Sequence, residues 1–184
     1  MTCTTPAIST SDLAEARCQL SCFVRSEADA TADELGFGWR PARRPPTTFD
    51  ELQMEFQACH ASGLPVRVSR DHSDETVYDQ VATNWAMRFV HDSRHVWLGA
   101  DFSTESELAV ASCHLARAKA TGLGPGTLAY ALLLADTVGQ TLFVAKAHRF
   151  VVHQLDFALD CIRFDLDTAI QYEVRRTIIE GSAS

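Results

Sequence analysis

Apolar side chains recur along most of this chain at intervals of three and four residues, the spacing that places them on one face of an α-helix. The last apolar stretch shows this period most clearly, in Leu155, Leu159, Ile162 and the residues that continue the row. The period predicts six helices, at residues 11–24, 48–63, 75–97, 104–119, 128–149 and 155–179. Residues 64–69 alternate weakly, which indicates a short extended segment. The predicted fold is all-α, a single-domain bundle of about five or six helices.

Glycine and proline residues divide the predicted helices and define the domain plan. Between residues 25 and 46 the helical pattern fails, and Gly36, Gly38 and three prolines favour a loop or a linker arm. The predicted parts of the chain are a flexible N-terminus (1–10), a helix (11–24), the loop or linker arm (25–46), a helical domain with the candidate site (47–180) and a tail (181–184).

The charge and hydropathy of the chain limit its partners. The net charge is −8, whereas binding to nucleic-acid phosphates needs clustered Lys and Arg, so we expect no nucleic-acid partner. The first residues lack the pattern of a secretory signal, and the longest apolar stretch is interrupted by Asp136 and Gln140. A cytoplasmic protein without a transmembrane segment is expected. Peripheral contact with a membrane and formation of a homo-oligomer stay open.

Six cysteines are scattered over the chain, a distribution that predicts free thiols and not a disulfide framework. Cys18 and Cys22 stand four residues apart on the first predicted helix and could supply half of a zinc site. No second pair of cysteines stands at ligand spacing, so we favour a packing role for both.

The densest chemistry of the chain is a short run near its middle, His91, Asp92 and His95, which is followed after eleven residues by Glu107. On a helix of 3.6 residues per turn the two histidines lie on one face, and Asp92 is rotated by about 60° from His95. A turn at residues 99–103 can fold the next helix back and bring Glu107 to them. Two imidazoles and two carboxylates suit a divalent metal ion, with zinc as first choice and iron or manganese as alternatives.

Each of these residues also has an ordinary structural interpretation. Two histidines four residues apart can form a surface pair or lie satisfied in the core. The residues from Thr104 to Glu107 match a capping box, in which the glutamate bonds back to the first residue of its helix. Asp92 can pair with Arg88 or Arg94 on the same helix. From the residues alone, a metal site and a capped helix pair are equal alternatives.

The order His, Asp, two residues, His, eleven residues, Glu resembles the signature of the ubiquinone-biosynthesis Coq-four family, matched here by His91, Asp92, His95 and Glu107. Ser106 stands where that family usually has glycine, and the resemblance is confined to this part of the chain. The family is helical, and its members remove the ring carboxyl of a quinone precursor and oxidise that carbon. The resemblance implies that the four matched residues are metal ligands and that the substrate is a small aromatic or acidic molecule.

Further polar residues fall near this run. Asp136 and Gln140 share one face of an otherwise apolar helix, where buried polar groups need partners. They are predicted either to orient a ligand histidine or a substrate, or to form a purely structural network. His114 lies seven residues after Glu107, about 10 Å along the same helix, which is too far to share the ion. It is expected to line a pocket or to be an ordinary, partly buried histidine.

Three functions are compatible with these residues. The first is a metal-dependent enzyme, a lyase or oxidoreductase by the resemblance, with no residue assigned as the catalytic group. The second is a nucleotide phosphohydrolase of the HD type, in which His91 and Asp92 would be joined by His60 and Asp136. The third is a non-catalytic interaction protein with a structural metal, for which residues 39–46 could serve as a docking arm.

Overall fold

A computed structural model describes residues 8–181 of this chain. The described residues form eight α-helices, a π-helical turn and two short strands, which in chain order are α1 (Thr10–Leu35), β1 (Trp39–Ala42), α2 (Phe49–Ser62), β2 (Val66–Ser69), α3 (Val81–Leu98), α4 (Thr104–Ala120), α5 (Leu128–Leu134), the π-turn (Ala135–Gly139), α6 (Gln140–Ala147), α7 (Gln154–Arg163) and α8 (Leu166–Gly181). Of the predicted flexible N-terminus and tail, all but residues 8–10 and 181 lie outside the described residues.

Helix α3 lies at the centre of the fold, in contact with α1, α2, α4 and both strands. Its Phe89 is fully buried, as are Leu20 of α1 and Leu132 of α5, and these side chains belong to one hydrophobic core. A smaller cluster around Phe143 and Phe157 joins α6, α7 and α8. The prediction of an all-α, single-domain bundle is confirmed, and the strands add only a minor sheet to it.

The prediction of a loop or linker arm at residues 25–46 is wrong for much of this segment. Helix α1 continues through it to Leu35 and ends at Gly36, which has a left-handed φ of 77°. The apolar pattern was interrupted by Glu27, yet Glu27 is buried because it pairs with arginines of α3 and α4. A charged residue with distant partners therefore occupies a core position that hydrophobicity alone could not identify.

The remaining part of this segment contains β1, which pairs in parallel with β2 and is connected to it through α2. Trp39 lies opposite Val66 in the register, and its indole stacks on the ring of Phe89 with centroids 4.9 Å apart. The extended segment predicted at residues 64–69 is confirmed as β2. The small sheet thus covers one side of α3.

Helix α3 begins at Val81 and not at residue 75 as predicted. Glu75 has a left-handed φ of 54°, and the N–H of Tyr78 donates to the Thr76 hydroxyl at 3.3 Å. Such local bonds to threonine compete with helical backbone bonds, so the segment forms a turn. Tyr78 is buried by this turn.

The last predicted helix is divided into α7 and α8. Asp165 stands between them and accepts a hydrogen bond from the N–H of Thr168 at 2.8 Å, as a capping side chain does. The apolar row continues across the break because Ile162 and Leu166 still follow at a four-residue step. The apolar period of the sequence therefore gave no indication of the break between α7 and α8.

The helix predicted at residues 128–149 ends at Ala147, and the segment Leu128–Ala147 contains the π-turn between α5 and α6. The turn ends at Gly139, where a Cβ atom would come within 3.2 Å of the Phe157 ring, so glycine permits the close approach of α7. By length and composition the segment qualifies to cross a membrane, a criterion that core helices of water-soluble proteins also meet. It packs against α1, α4 and α7. The absence of a transmembrane segment stays a prediction.

Candidate metal centre

Three of the four predicted ligands meet between α3 and α4. His91 and His95 lie one turn apart on α3, and Glu107 lies in the first turn of α4. One ligand atom from each side chain lies within 4.8 Å of the other two. We call these three residues the histidine–glutamate group. Two imidazoles and a carboxylate at this spacing can hold a metal ion.

The turn between α3 and α4 brings Glu107 to the histidines. Helix α3 ends at Gly99 with a left-handed φ of 61°, which glycine adopts without steric cost. The hydroxyl of Ser103 then caps α4 by accepting from the N–H of Ser106. Because Ser106, and not Glu107, occupies the third helical position, the predicted capping box does not form. The carboxylate of Glu107 turns towards α3 instead.

The distances within the histidine–glutamate group are short. Nε2 of His91 lies 3.0 Å from Oε2 of Glu107 and 3.0 Å from Nε2 of His95, and the latter lies 3.5 Å from Oε1 of Glu107. Ligand atoms about 2.0–2.2 Å from a tetrahedral zinc ion stand roughly 3.3–3.5 Å apart. The three side chains are therefore spaced as ligands of one small cation would be.

The hydrogen bond on the far side of His95 determines which ring nitrogen faces the group. Its Nδ1 lies 3.0 Å from the carbonyl oxygen of Ala100, which can only accept, so Nδ1 carries the hydrogen. Neutral His95 therefore presents the lone pair of Nε2 to the group. The ring is fully buried, and Phe102 packs edge-on against it with centroids 5.1 Å apart.

His114 makes the corresponding contact with His91. Its Nε2 lies 3.4 Å from Nδ1 of His91, and the two rings stack with centroids 5.5 Å apart. Burial, reinforced by the neighbouring histidine and arginine charges, holds the pKa of His114 well below its ordinary value. Neutral His114 can accept the Nδ1 hydrogen of His91, which turns the Nε2 lone pair towards the group. His114 itself lies outside the group, and its contact with His91 was not foreseen.

The imidazole of His95 and the carboxylate of Glu107 shift each other's pKa in opposite directions. Burial favours the protonated form of Glu107, but its contacts with His91 and His95 outweigh burial and lower its pKa to about 2. Burial opposes the charge of His95, but the contacts with Glu107 and the Ala100 carbonyl raise its pKa. Without a metal, the raised pKa of His95 thus favours a proton between the converging atoms. A metal cation can take the place of that proton.

Asp92, the fourth predicted ligand, does not join the group. Its part-buried carboxylate makes no hydrogen bond or ion pair with any residue in the described range 8–181. Burial raises the pKa of Asp92 to about 6, against the opposing charges of the two histidines and Arg88. The predicted pairing with Arg88 or Arg94 is not formed, since Arg88 donates to main-chain carbonyls and Arg94 donates to Glu27.

Negative charge exceeds positive charge around the group. The carboxylates of Asp92, Asp136 and Glu107 all act electrostatically on His91, whereas Arg88 is the guanidinium that acts on both aspartates. With neutral histidines this leaves an excess of buried negative charge, which is costly. The raised pKa values of the two aspartates are a consequence of their burial, and a divalent cation would relieve the same excess.

Asp136 and Gln140 form a network with Tyr78. The Tyr78 hydroxyl donates to Oδ2 of Asp136 at 2.6 Å, and the Gln140 amide donates to Oδ1 at 2.7 Å. No hydrogen bond joins them to the ligand histidines within the described residues, so Asp136 acts on His91 through its charge alone. Tyr78 was not identified from the sequence because its segment was taken for the first turn of α3. The sequence contained one signal for such a partner, because Asp136 on an otherwise apolar helix needs a hydrogen-bond donor.

The histidine–glutamate group is open on one side. The side chains of His91 and Glu107 are 26% and 27% exposed, whereas that of His95 is inaccessible. Structural zinc sites are usually closed by four protein ligands, and catalytic sites keep a position open for water or substrate. Three ligands with access to solvent correspond to the second arrangement.

The fold and this group define a class, a mostly α-helical, single-domain protein with a His/His/Glu group that can hold a metal ion. Comparison of the chain with protein-family models, with curated proteins and with solved structures finds no match. The resemblance to the Coq-four family stays a prediction that rests on four residues of the sequence.

Proposed function

We propose that the histidine–glutamate group is the divalent-metal centre of an enzyme. One observation carries this proposal: the Nε2 atoms of His91 and His95 and the carboxylate of Glu107 converge within 3.0–3.5 Å as acceptors. The contact of His95 with the Ala100 carbonyl turns its lone pair inward, and the contact of His91 with His114 permits the same orientation. Acceptor atoms repel one another unless a cation or a proton lies between them.

The side chains that would hold the ion are His91, His95 and Glu107, which leaves a position open for water or substrate. Zinc suits a nitrogen and oxygen donor set of this kind, and iron or manganese are the alternatives. A bound ion would polarise a carboxylate or carbonyl group, or activate water or dioxygen. The chain's own contribution is to orient the imidazoles and to keep one side of the group accessible.

The proposed substrate is a small aromatic or acidic molecule, and the proposed reaction is removal of a ring carboxyl group with oxidation of that carbon. Both rest on the resemblance to the Coq-four family. The aromatic border of the group supports an aromatic substrate, since the ring of Phe102 contacts both His95 and Phe49. Such an oxidation would need dioxygen as electron acceptor, so turnover of hydroxybenzoate-like acids should stop when dioxygen is removed.

The decisive experiment is the metal content of protein purified without a histidine tag. We expect about one divalent ion per chain in the wild type and its loss in His95→Ala and Glu107→Ala. Glu105→Ala is the matched control, because Glu105 lies in the same first turn of α4 but is exposed. Wild-type protein that stays metal-free after reconstitution with zinc, iron and manganese would overturn the proposal.

The same experiment separates the alternatives. The HD-type phosphohydrolase needs His60, but His60 is exposed at the end of α2, where its Nδ1 contacts the carbonyl of Leu35 at 3.2 Å. His60→Ala should therefore leave the metal content unchanged; loss of metal in that variant would favour the HD type. A bound ion without exchangeable water would instead favour the non-catalytic protein with a structural metal.

A further inference from the structure

Cys18 and Cys22 are both exposed on α1 as free thiols. They stand one helical turn apart and line a groove of about 460 Å³ between α1 and the segment that follows α4. Thr121 and Leu123 form the far wall of this groove. The favoured packing role for these two cysteines is wrong, and their position is open to solutes.

The two thiols differ in their surroundings. The guanidinium of Arg25 donates to Sγ of Cys22 at 3.5 Å and also holds Asp79 at 3.0 Å. The adjacent Cys22 is the main cause of the raised pKa of Cys18. The two sulfur atoms therefore lie close enough to interact with each other.

The helix geometry disfavours a disulfide bond between Cys18 and Cys22. Side chains four residues apart on a helix have Cβ atoms about 5–6 Å apart. A disulfide needs Cβ atoms about 3.5–4.5 Å apart, so bond formation would require α1 to unwind locally. Two sulfur atoms on one helical face can instead be bridged by an ion that lies between them.

We propose that Cys18 and Cys22 form a second, independent metal site that takes a soft, thiophilic ion of the Cu(I) type. Both sulfurs bind as thiolates, so binding releases the thiol protons to solvent. Thiolates select soft ions, whereas imidazoles and carboxylates suit zinc, iron or manganese. Among residues 8–181, the side chains that form a group of three or more possible metal ligands are those of the histidine–glutamate group. Cys18 and Cys22 therefore offer two ligands without a third side chain, which suits an ion of low coordination number.

The test is an anaerobic titration of the full chain with Cu(I) against a chromophoric Cu(I) chelator. We expect one Cu(I) bound by the wild type, with affinity reduced in Cys18→Ser and in Cys22→Ser by more than the roughly 10- to 100-fold that loss of an outer partner costs. Cys113→Ser is the matched control, as a part-buried free thiol elsewhere, and should bind like the wild type. His95→Ala should also retain this Cu(I), since the two sites share no residue.

Wild-type affinity in both Cys18→Ser and Cys22→Ser would overturn the proposal, as would loss of Cu(I) in His95→Ala alone. Thermal melting of the two serine variants checks that the result does not come from misfolding. Because both side chains are exposed, their melting temperatures should match that of the wild type. The outcome does not depend on whether the histidine–glutamate group binds a metal.

Discussion

Two glutamates, the buried Glu27 and the part-buried Glu107, contact helices α3 and α4 in opposite chemical situations. Glu27, contributed by α1, accepts from Arg117 at 2.7 and 2.9 Å and from Arg94 at 3.1 Å, so both of its carboxylate oxygens have donors. We call these three residues the Glu27 cluster. Glu107, by contrast, faces His91 and His95, and neutral His95 presents the lone pair of Nε2 to the group.

The comparison shows how a structural polar cluster differs from a candidate site. The Glu27 carboxylate is satisfied, since it is matched by guanidinium groups that are always charged, although Nε of Arg94 has no hydrogen-bond partner within the described residues. The histidine–glutamate group becomes complete only with a proton or a metal ion. Arg94 and His95 are neighbours on α3, so the difference arises from which face each side chain occupies and not from distance along the chain.

The largest expected effect on stability comes from breaking the Glu27 cluster. Glu27→Ala leaves Arg94 largely buried without its partner, and loss of one member of a buried pair costs about 3–5 kcal/mol. The free energy of unfolding, measured by urea titration, should fall by about that amount. Asp29→Ala, an exposed position on the same helix, should change it by less than about 0.5 kcal/mol. Equal effects of the two substitutions would contradict the structural role of Glu27.

Binding of a metal ion to the histidine–glutamate group should have the next largest effect on stability. A divalent ion at 100 times its dissociation constant should stabilise the metal-free protein by about 2.7 kcal/mol. His95→Ala should abolish this gain, whereas Glu27→Ala should keep it although its baseline is lower. The measurement is urea unfolding with and without zinc. A gain that persists in His95→Ala would place the ion elsewhere.

The contact between His114 and His91 should affect metal affinity rather than stoichiometry. His114→Leu removes the acceptor that orients His91, and loss of such an outer partner reduces metal affinity by about 10- to 100-fold. Competition with a zinc chelator measures this change. Cys113→Ala, the adjacent position on α4, serves as the control. Unchanged affinity in His114→Leu would mean that the ring contact has no orienting role.

The stability of the metal-free protein should depend on pH through the ionisation of Glu107 and His95. Because the pKa of Glu107 is lowered to about 2 from 4.5, its contribution to stability is complete above pH 4.5 and is lost as the pH falls towards 2. Because the pKa of His95 is raised above 6.5, its contribution is complete below pH 6.5 and is lost as the pH rises through the raised value. The interaction should therefore stabilise the fold most between these limits.

Glu107→Gln should flatten this profile by less than about 2 kcal/mol, because Glu107 is a quarter exposed to solvent. Urea unfolding of the metal-free protein at a series of pH values measures the profile. Glu105→Gln, in the same turn of α4, should leave it unchanged. A profile that Glu107→Gln does not alter would refute the stated coupling.

The smallest expected effect concerns the Tyr78–Asp136 hydrogen bond. Tyr78→Phe removes one donor from Asp136 and should cost about 1 kcal/mol, because the Gln140 amide still donates to the other carboxylate oxygen. Tyr130→Phe is the control, since the Tyr130 hydroxyl makes no hydrogen bond within the described part of the chain. Thermal melting measures both. Loss of metal in Tyr78→Phe would show that this network also supports the centre.

The candidate ligands could be predicted because their relation is local. His91 and His95 share a helical face by spacing alone, and a single turn separates α3 from the helix that carries Glu107. The contact of His114 with His91 could not be predicted, because it depends on the angle at which α4 crosses α3 and on the reach of two side chains. The placement of Asp92 outside the group depends on the same packing.

The helices themselves were predictable where one apolar face continues without a charged residue. The prediction failed for α1 after residue 24, because Glu27 interrupts the stripe and its partners stand 67 and 90 residues away in the chain. It also failed at residues 75–80, where the threonine side chain bonds to the backbone and competes with helix formation. Both failures occur where polar contacts, and not hydrophobicity, decide the conformation.

The sequence by itself determined an all-α bundle and the proximity of His91, His95 and Glu107, because helical period and a single glycine-terminated turn act over short stretches of chain. Only the tertiary structure decided which glutamate is satisfied and which is not. The packing places two arginines against Glu27, and it places two imidazoles against Glu107, of which neutral His95 presents a lone pair. Hydrogen-bond partners of buried groups come from different elements, so their completeness is a property of packing.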